Sequence, residues 1–406
     1  MRWLLILITF TLSMHCRASV KLDGFMNLGI HTTDSKFAGL RTQVSQDHAT
    51  FEGDIDLRQL SSFGLQAEWQ FSNEIQFVSQ LLLKDTANNS ILDKVKMAFL
   101  RYTPAPEYML SVGRMSLDLY MMTDYRDIGF AYVPTNLPVE FYGIIPHESL
   151  DGIEFTYKKN SDRGLLSVKG FYGQSDSPVV SDDNFIWDVK LRNMAGLTLS
   201  WEANDWLIRA HHSITKAKDG YPGQNELVTA LRLIPVSVWP SIEAVRESLL
   251  FENAKLTYTT IGTRFDNGEY ILRSELSWVD SKSILLNDLL TGYASIGKRF
   301  ADHALMLTYS HIEADAPNIA PPLISTPELN FLYAAVKQAT DFYRLRQDTY
   351  SLSWRYDMSD SWALKAQYNY TSIQYQPSGL YLHDFGNNSD DAFSSISLSS
   401  HWIFDL

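Results

Sequence analysis

Beyond its first eighteen residues, the chain alternates apolar and polar positions with a period of two, which is the signature of β-strands. Phe63, Leu65, Ala67, Trp69 and Phe71 fall on one face and Gly64, Gln66, Glu68 and Gln70 on the other, until Ser72-Asn73 turn the chain and Ile75, Phe77, Leu81 and Leu83 resume the apolar face. Val189, Leu191, Ala195, Leu197, Leu199 and Trp201 alternate in the same way with Lys190, Arg192, Thr198, Ser200 and Glu202. After the turn at Asn204-Asp205 come Trp206, Ile208 and Ala210, opposed by Arg209 and His211. Tyr350 to Tyr356 and Trp362 to Tyr370 form a third such pair around Met358-Ser359-Asp360.

Tight polar turns alternate with long polar connections, the longest near 33–56, 116–148, 217–252 and 313–347, and aromatics bracket the turns. The last segment places Ile396, Leu398, Ser400, Trp402, Phe404 and Leu406 on one face and Ser397, Ser399, His401 and Asp405 on the other. In a soluble sheet such an apolar strand would be an aggregation-prone edge, whereas in a closed membrane barrel it pairs with the first strand and faces lipid. The pattern therefore predicts an all-β, transmembrane antiparallel barrel of about sixteen strands spanning 19–406 as one domain, with short periplasmic turns and long external loops. A soluble β-sandwich also alternates, but has no need of Trp and Tyr girdles. Two of the long connections contain helix-like pieces, 242–250 and 329–344, expected as surface-loop helices, with a plugging role as the lesser alternative.

Met1-Arg2, the apolar run from Trp3 to Leu12 and the small residues Cys16 and Ala18 predict a secretory signal peptide over 1–18. Cys16 is the single cysteine, so the exported domain offers neither a disulfide nor a thiolate metal site. Scattered histidines offer no metal-ligand spacing, and no cofactor is expected. The chain has 406 residues and a net charge of -13, and the acidic balance argues against nucleic acid as a partner. No stretch after 18 has the roughly 18 consecutive apolar residues of a membrane helix.

If the apolar face meets lipid, the polar face lines the lumen, and its basic members Lys169, Lys190, Arg192, Arg209, Arg273, Arg355 and Lys365, with Arg58, outnumber acidic ones such as Glu68, Glu154, Glu202 and Glu275. The 116–148 connection carries Asp118, Asp124, Arg126, Asp127, Glu140 and His147 among tyrosines and prolines. With the leader, a first strand Val20-Lys21-Leu22-Asp23-Gly24-Phe25, an aromatic closing strand and a long connection after strand five, the chain resembles the Gram-negative porin family, the trimeric sixteen-stranded diffusion porins. In that family the third external loop folds inward and narrows the pore. The resemblance implies that Asp118, Asp124, Arg126, Asp127 and Glu140 form a constriction loop facing a basic wall that includes Arg58, Arg101 and Arg114. It also implies a homotrimer in the bacterial outer membrane, in contact with lipid and lipopolysaccharide. Ending on Leu406 rather than Phe, and the apolar 127–134 segment, depart from the family pattern.

The resulting expectation is a porin, not an enzyme: a water-filled channel for small hydrophilic solutes or ions, leaning toward anions. The alternatives are a barrel enzyme of lipase or protease type, for which His211 and Ser213 share a face, and a substrate-specific gated channel. No nucleophile elbow accompanies His211 and Ser213.

Overall fold

The alternating segments pair into one closed barrel of sixteen antiparallel strands. In the computed structural model, residues 19–406 are described except 88–89, 181–184, 221–222, 284–287, 315–317, 342–343, 375–379 and 385–391; the expected leader, 1–18, lies outside the described residues. The strands are β1 Ser19–Thr33, β2 Ser62–Gln70, β3 Ile75–Lys84, β4 Val95–Ala105, β5 Tyr108–Ser116, β6 Ser149–Ser161, β7 Gly164–Val180 and β8 Ile186–Ala203. The circuit continues with β9 Trp206–Ala217, β10 Lys255–Asp266, β11 Tyr270–Ser281, β12 Leu289–Phe300, β13 His303–Ala314, β14 Leu345–Ser359, β15 Trp362–Ile373 and β16 Ala392–Asp405. Closure is made by β16 on β1, from Asp23 opposite Asp405 to Thr33 opposite Ser395. Every strand thus has two neighbours and no ladder edge is left to lipid.

Exposure follows the alternation: Ile396 and Leu398 of β16 are 52% and 49% exposed, while Ser397 between them and His401 farther along are buried at 2%. The sheet's apolar belt is therefore outside and its polar face inside, the reverse of a soluble barrel and the arrangement a bilayer requires. Among the described residues no helix is long and apolar enough to cross a membrane. Aromatic pairs mark the ends bearing the short turns, including Trp206 with Phe265 at 4.9 Å and Trp362 with Trp402 at 6.0 Å between ring centroids. At the 266–270 turn, Gly268 takes φ +87°, and the Asn267 carboxamide accepts from the Glu269 and Tyr270 amides at 3.1 and 2.7 Å. That left-handed geometry favours glycine.

One irregularity changes the facing of a strand. Asn193 adopts φ +51°, and the β7–β8 register slips between Gly173 and Ser175, adding a residue to β8. An extra residue moves every later side chain to the other face. Thr198 points in, as expected, but above the bulge Val189 and Leu191 turn inward and are buried, leaving Lys190 and Arg192 on the outer face. There Lys190 pairs with Asp219 at 2.9 Å and Arg192 with Asp176. By parity both expected pore-lining residues leave the inward face, although Lys190 still lines, with Arg114, a cavity of about 390 Å³ that reaches Lys84, Lys96 and Glu148.

The ends bearing the long loops carry α2 Gln224–Arg232, α3 Ile242–Leu249 and α4 Pro327–Asp341, after the single turn α1 Val139–Tyr142. The two expected helices are present, and α2 joins them. They are not surface decoration: Val228, Leu231, Trp239, Ile242, Leu249 and Val336 share one buried core with inward-facing wall residues such as Leu191, Leu256 and Leu345. The Trp239 indole donates to the Ala320 carbonyl at 2.8 Å and meets the Tyr333 ring edge-on. Over β7 to β14, the outer half of the barrel is therefore filled by its own loops.

Candidate pore constriction

Residues 117–148, between β5 and β6, leave the wall and cross the lumen, and the inward-facing side chains of successive strands receive them. Thr198 of β8 donates to Asp118 at 2.7 Å, and the Arg209 guanidinium of β9 reaches the same carboxylate at 3.1 Å. Farther round, Glu275 of β11 accepts from the Met121 amide at 2.8 Å and from the Tyr142 hydroxyl. Gln367 of β15 accepts from the Thr135 amide at 2.9 Å, while Lys365 donates to the carbonyls of Gly129, Tyr132 and Pro134. On β1, Asn27 donates to the Asp127 carbonyl at 2.9 Å. The path is closed by β3 and β4, where Lys84 and Lys96 meet Asp127 and Glu148. Pairing backbone groups with wall side chains is what allows an irregular segment to lie inside a barrel.

The ionic centre of the segment is this last group. Lys84 lies 3.0 Å from Asp127 and 2.7 Å from Glu148; Lys96 lies 3.2 and 2.5 Å from the same two carboxylates; Arg126 is 3.3 Å from Glu148. All five side chains are less than one-fifth exposed. Burial pushes the Glu148 carboxyl up, but Lys84, Lys96 and Arg126 outweigh it and hold the group well below its ordinary range. Asp127 is lowered in the same way, its burial outweighed by Lys84 and Lys96. Burial also pushes Asp118 up, and Lys169 and Arg209 override it to leave its carboxyl below the usual range.

The expected site residues separate into groups. Asp118, Asp124, Arg101, Lys169 and Arg209 line one cavity of about 570 Å³ on the turn side of the segment. Arg273 and Arg355 line a second, of about 440 Å³, against residues 125–133. Arg126 and Asp127 belong to the ionic centre, and Lys365 anchors the segment. Glu140 is 1% exposed and accepts from Ser310 at 2.7 Å, from Gln347 and from Thr349, so it fastens the segment to the wall and does not face the pore. Arg58 sits in the 34–61 loop, not in the wall, where Asp85 and Asp47 take its guanidinium at 2.6 and 3.6 Å. Arg114 shares the outward face with Leu110 and Val112 and is held by Asp151 at 2.7 Å. The sequence pattern ends the first long connection at 56, whereas the structure carries it past Arg58 to β2 at Ser62. Sequence reasoning missed Lys84, Lys96 and Glu148. Lys84 was readable from the parity of Val78, Gln80 and Leu82, but Lys96 lies at the slip between Gln80 and Leu81, where alternation breaks.

His211 and Ser213 share the inward face of β9. His211 Nδ1 and Thr198 Oγ1 are 2.9 Å apart, and Thr198 also serves Asp118; Ser213 lines an apolar cavity of about 130 Å³ beneath the loop helices. The two residues thus look toward different surroundings.

No family model matches the chain, and no curated protein sequence matches it. Solved structures do. An anion-selective porin from Comamonas acidovorans is 10% identical, with 95% of this chain and 100% of that one covered at a TM-score of 0.52. The fold is that of Gram-negative outer-membrane porins. The outer-membrane channel DcaP of Acinetobacter baumannii (12% identity, 95% and 97% coverage, TM-score 0.53) and in-vitro folded OmpT of Vibrio cholerae in trimer form (11%, 95% and 99%, 0.52) are similar in the same degree. At these identities the likeness is one of fold, and the protein is an outer-membrane barrel of porin architecture.

Proposed function

We propose that the protein is a non-catalytic outer-membrane channel for passive diffusion of small hydrophilic solutes, with residues 117–148 as its constriction. The observation that carries this reading is the anchoring of that segment to inward-facing side chains of β1, β3, β4, β8, β9, β11 and β13 to β15, with charged cavities left between it and the wall. Charged groups in a confined aqueous space act on passing ions through their local field. Anion preference is supported by the cavity of about 440 Å³, whose lining includes Arg264, Arg273, Arg299 and Arg355 but only Asp266 and Asp357 as carboxylates. The similar trimer-form structure supports a homotrimer, and the exposed apolar belt of the strands is the face that would meet outer-membrane lipid and lipopolysaccharide.

Planar-bilayer recording of the refolded 19–406 chain in a salt gradient tests the reading. Discrete conductance steps with a reversal potential on the anion side are expected. A folded barrel that stays electrically silent overturns it.

A further inference from the structure

The cavity of about 440 Å³ holds an arrangement that the channel reading does not require. Arg264 of β10 and Arg273 of β11 are directly opposite each other in the ladder, both facing in. Like charges in that relation repel. Their neighbours Arg299 and Arg355 are already engaged, the first by both oxygens of Asp266 at 2.6 and 2.9 Å, the second by Asp357 at 2.7 Å and by the Phe130 and Tyr132 carbonyls. Arg264 has Glu202 at 3.2 Å on one terminal nitrogen, whereas a terminal nitrogen of Arg273 meets the Met122 sulfur at 2.9 Å. The Nε atoms of both Arg264 and Arg273 are buried, with no hydrogen-bond partner among the described residues. A guanidinium presents its donors as a planar fork that matches a carboxylate.

The rest of the lining is not that of a simple ion path. Phe130, Val133, Ile271 and Met306 give it an apolar side, and Tyr125 and Tyr132 add aromatic rings. We propose that this cavity is a binding site for a small aromatic carboxylate, its anionic group between Arg264 and Arg273 and its ring against residues 130–133. The proposal deepens the channel reading by naming a solute class for the same lumen. A bare inorganic anion would satisfy the arginines but leave the apolar side wet. A neutral aromatic would leave Arg273, which has no carboxylate in ion-pair range among the described residues, uncompensated.

Isothermal calorimetry on the refolded barrel in detergent, with benzoate, acetate and benzyl alcohol as probes, tests it. Benzoate is expected to bind at least tenfold more tightly than either of the others. Arg273→Gln should weaken benzoate at least tenfold, and Arg273→Lys, which keeps the charge but loses the fork, should weaken it by an intermediate factor; both variants are checked for folding by heat-dependent gel mobility. Equal binding of benzoate and acetate, or undiminished benzoate binding by a folded Arg273→Gln barrel, overturns the proposal. Calorimetry does not depend on conduction, so a silent barrel that binds benzoate sinks the channel reading alone. A conducting barrel indifferent to benzoate sinks this one alone.

Discussion

Replacing Glu148 by Gln removes the negative charge that three cations share while leaving the side chain's shape nearly unchanged. Both carboxylate oxygens lie 2.7 Å from the Lys84 ammonium, Lys96 is at 2.5 Å and Arg126 at 3.3 Å. At an effective dielectric of about 20, unit charges some 4 Å apart attract by about 4 kcal/mol. Removing one member of a buried pair costs about 3 to 5 kcal/mol, because its partner is left uncompensated. Asp127 remains beside both lysines and the new amide can still accept, so the lower end applies: about 3 kcal/mol, or roughly 150-fold in the folding equilibrium. Urea unfolding in lipid vesicles, followed by tryptophan fluorescence, measures it. The pH dependence supplies a second reading. The Glu148 pKa is depressed in the folded state, so its contribution is present above the ordinary carboxylate range and is lost as pH falls through the folded value. Glu148→Gln should therefore flatten the wild-type loss of stability in acid. A variant within about 0.5 kcal/mol of wild type at pH 7, with the acid limb unchanged, refutes the account of the ionic centre.

Other perturbations separate the parts of the molecule. Trp239→Ala empties the centre of the loop core, where the indole is 0% exposed, and should cost about 3 to 5 kcal/mol locally; faster proteolysis within 218–254, with the barrel still heat-resistant on gels, is the expected outcome. Leu398→Arg puts a charge on the lipid face and should cost about 2 to 4 kcal/mol if the position lies near the bilayer midplane, read as a lowered urea midpoint in vesicles. Burial pushes the His147 imidazole down to about 4, with Ser175 at 2.9 Å from Nδ1. The unfolded chain then binds the extra proton between about pH 6.5 and 4, so this residue's contribution grows as pH rises through that window, and His147→Gln should remove that limb of the stability curve.

The barrel was legible because its signal is repeated in every strand: a side chain that must meet lipid on one face and water on the other writes its period directly into the sequence. Legibility failed where one residue breaks the period. Asn193 reverses Lys190 and Arg192, and the slip at Gln80 and Leu81 conceals Lys96. Glu140 failed differently: a carboxylate in a loop reads as solvated, and only the fold brings Ser310, Gln347 and Thr349 to it from strands well over a hundred residues away. Of the loop helices, α3 and α4 were visible as helices and α2 was not, and none was read chiefly as filling, because the apolar residues that receive them lie on the face a simple pore would keep polar.

That filling is asymmetric, and the asymmetry bears on where a solute can pass. Beside β7 to β12, the outer half holds loop helices and an apolar cavity lined by Trp187, Leu191, Met194, Phe251 and Leu256. Water gains little there, since apolar walls give it no partners. A polar cavity of about 100 Å³ beside β1 to β3 and one of about 390 Å³ beside β3 to β8 share Lys84 as a lining residue, and Asp127 and Glu148 belong to one each. If the barrel conducts as proposed, a hydrophilic solute entering from the loop end is directed to the ionic centre, not to the middle of the barrel. Loosening that centre should change conductance more than emptying the loop core, so Glu148→Gln should alter single-channel current while Trp239→Ala leaves it nearly unchanged. Should the order be reversed, the passage runs through the loop core, and the ionic centre only fastens residues 117–148 to the wall.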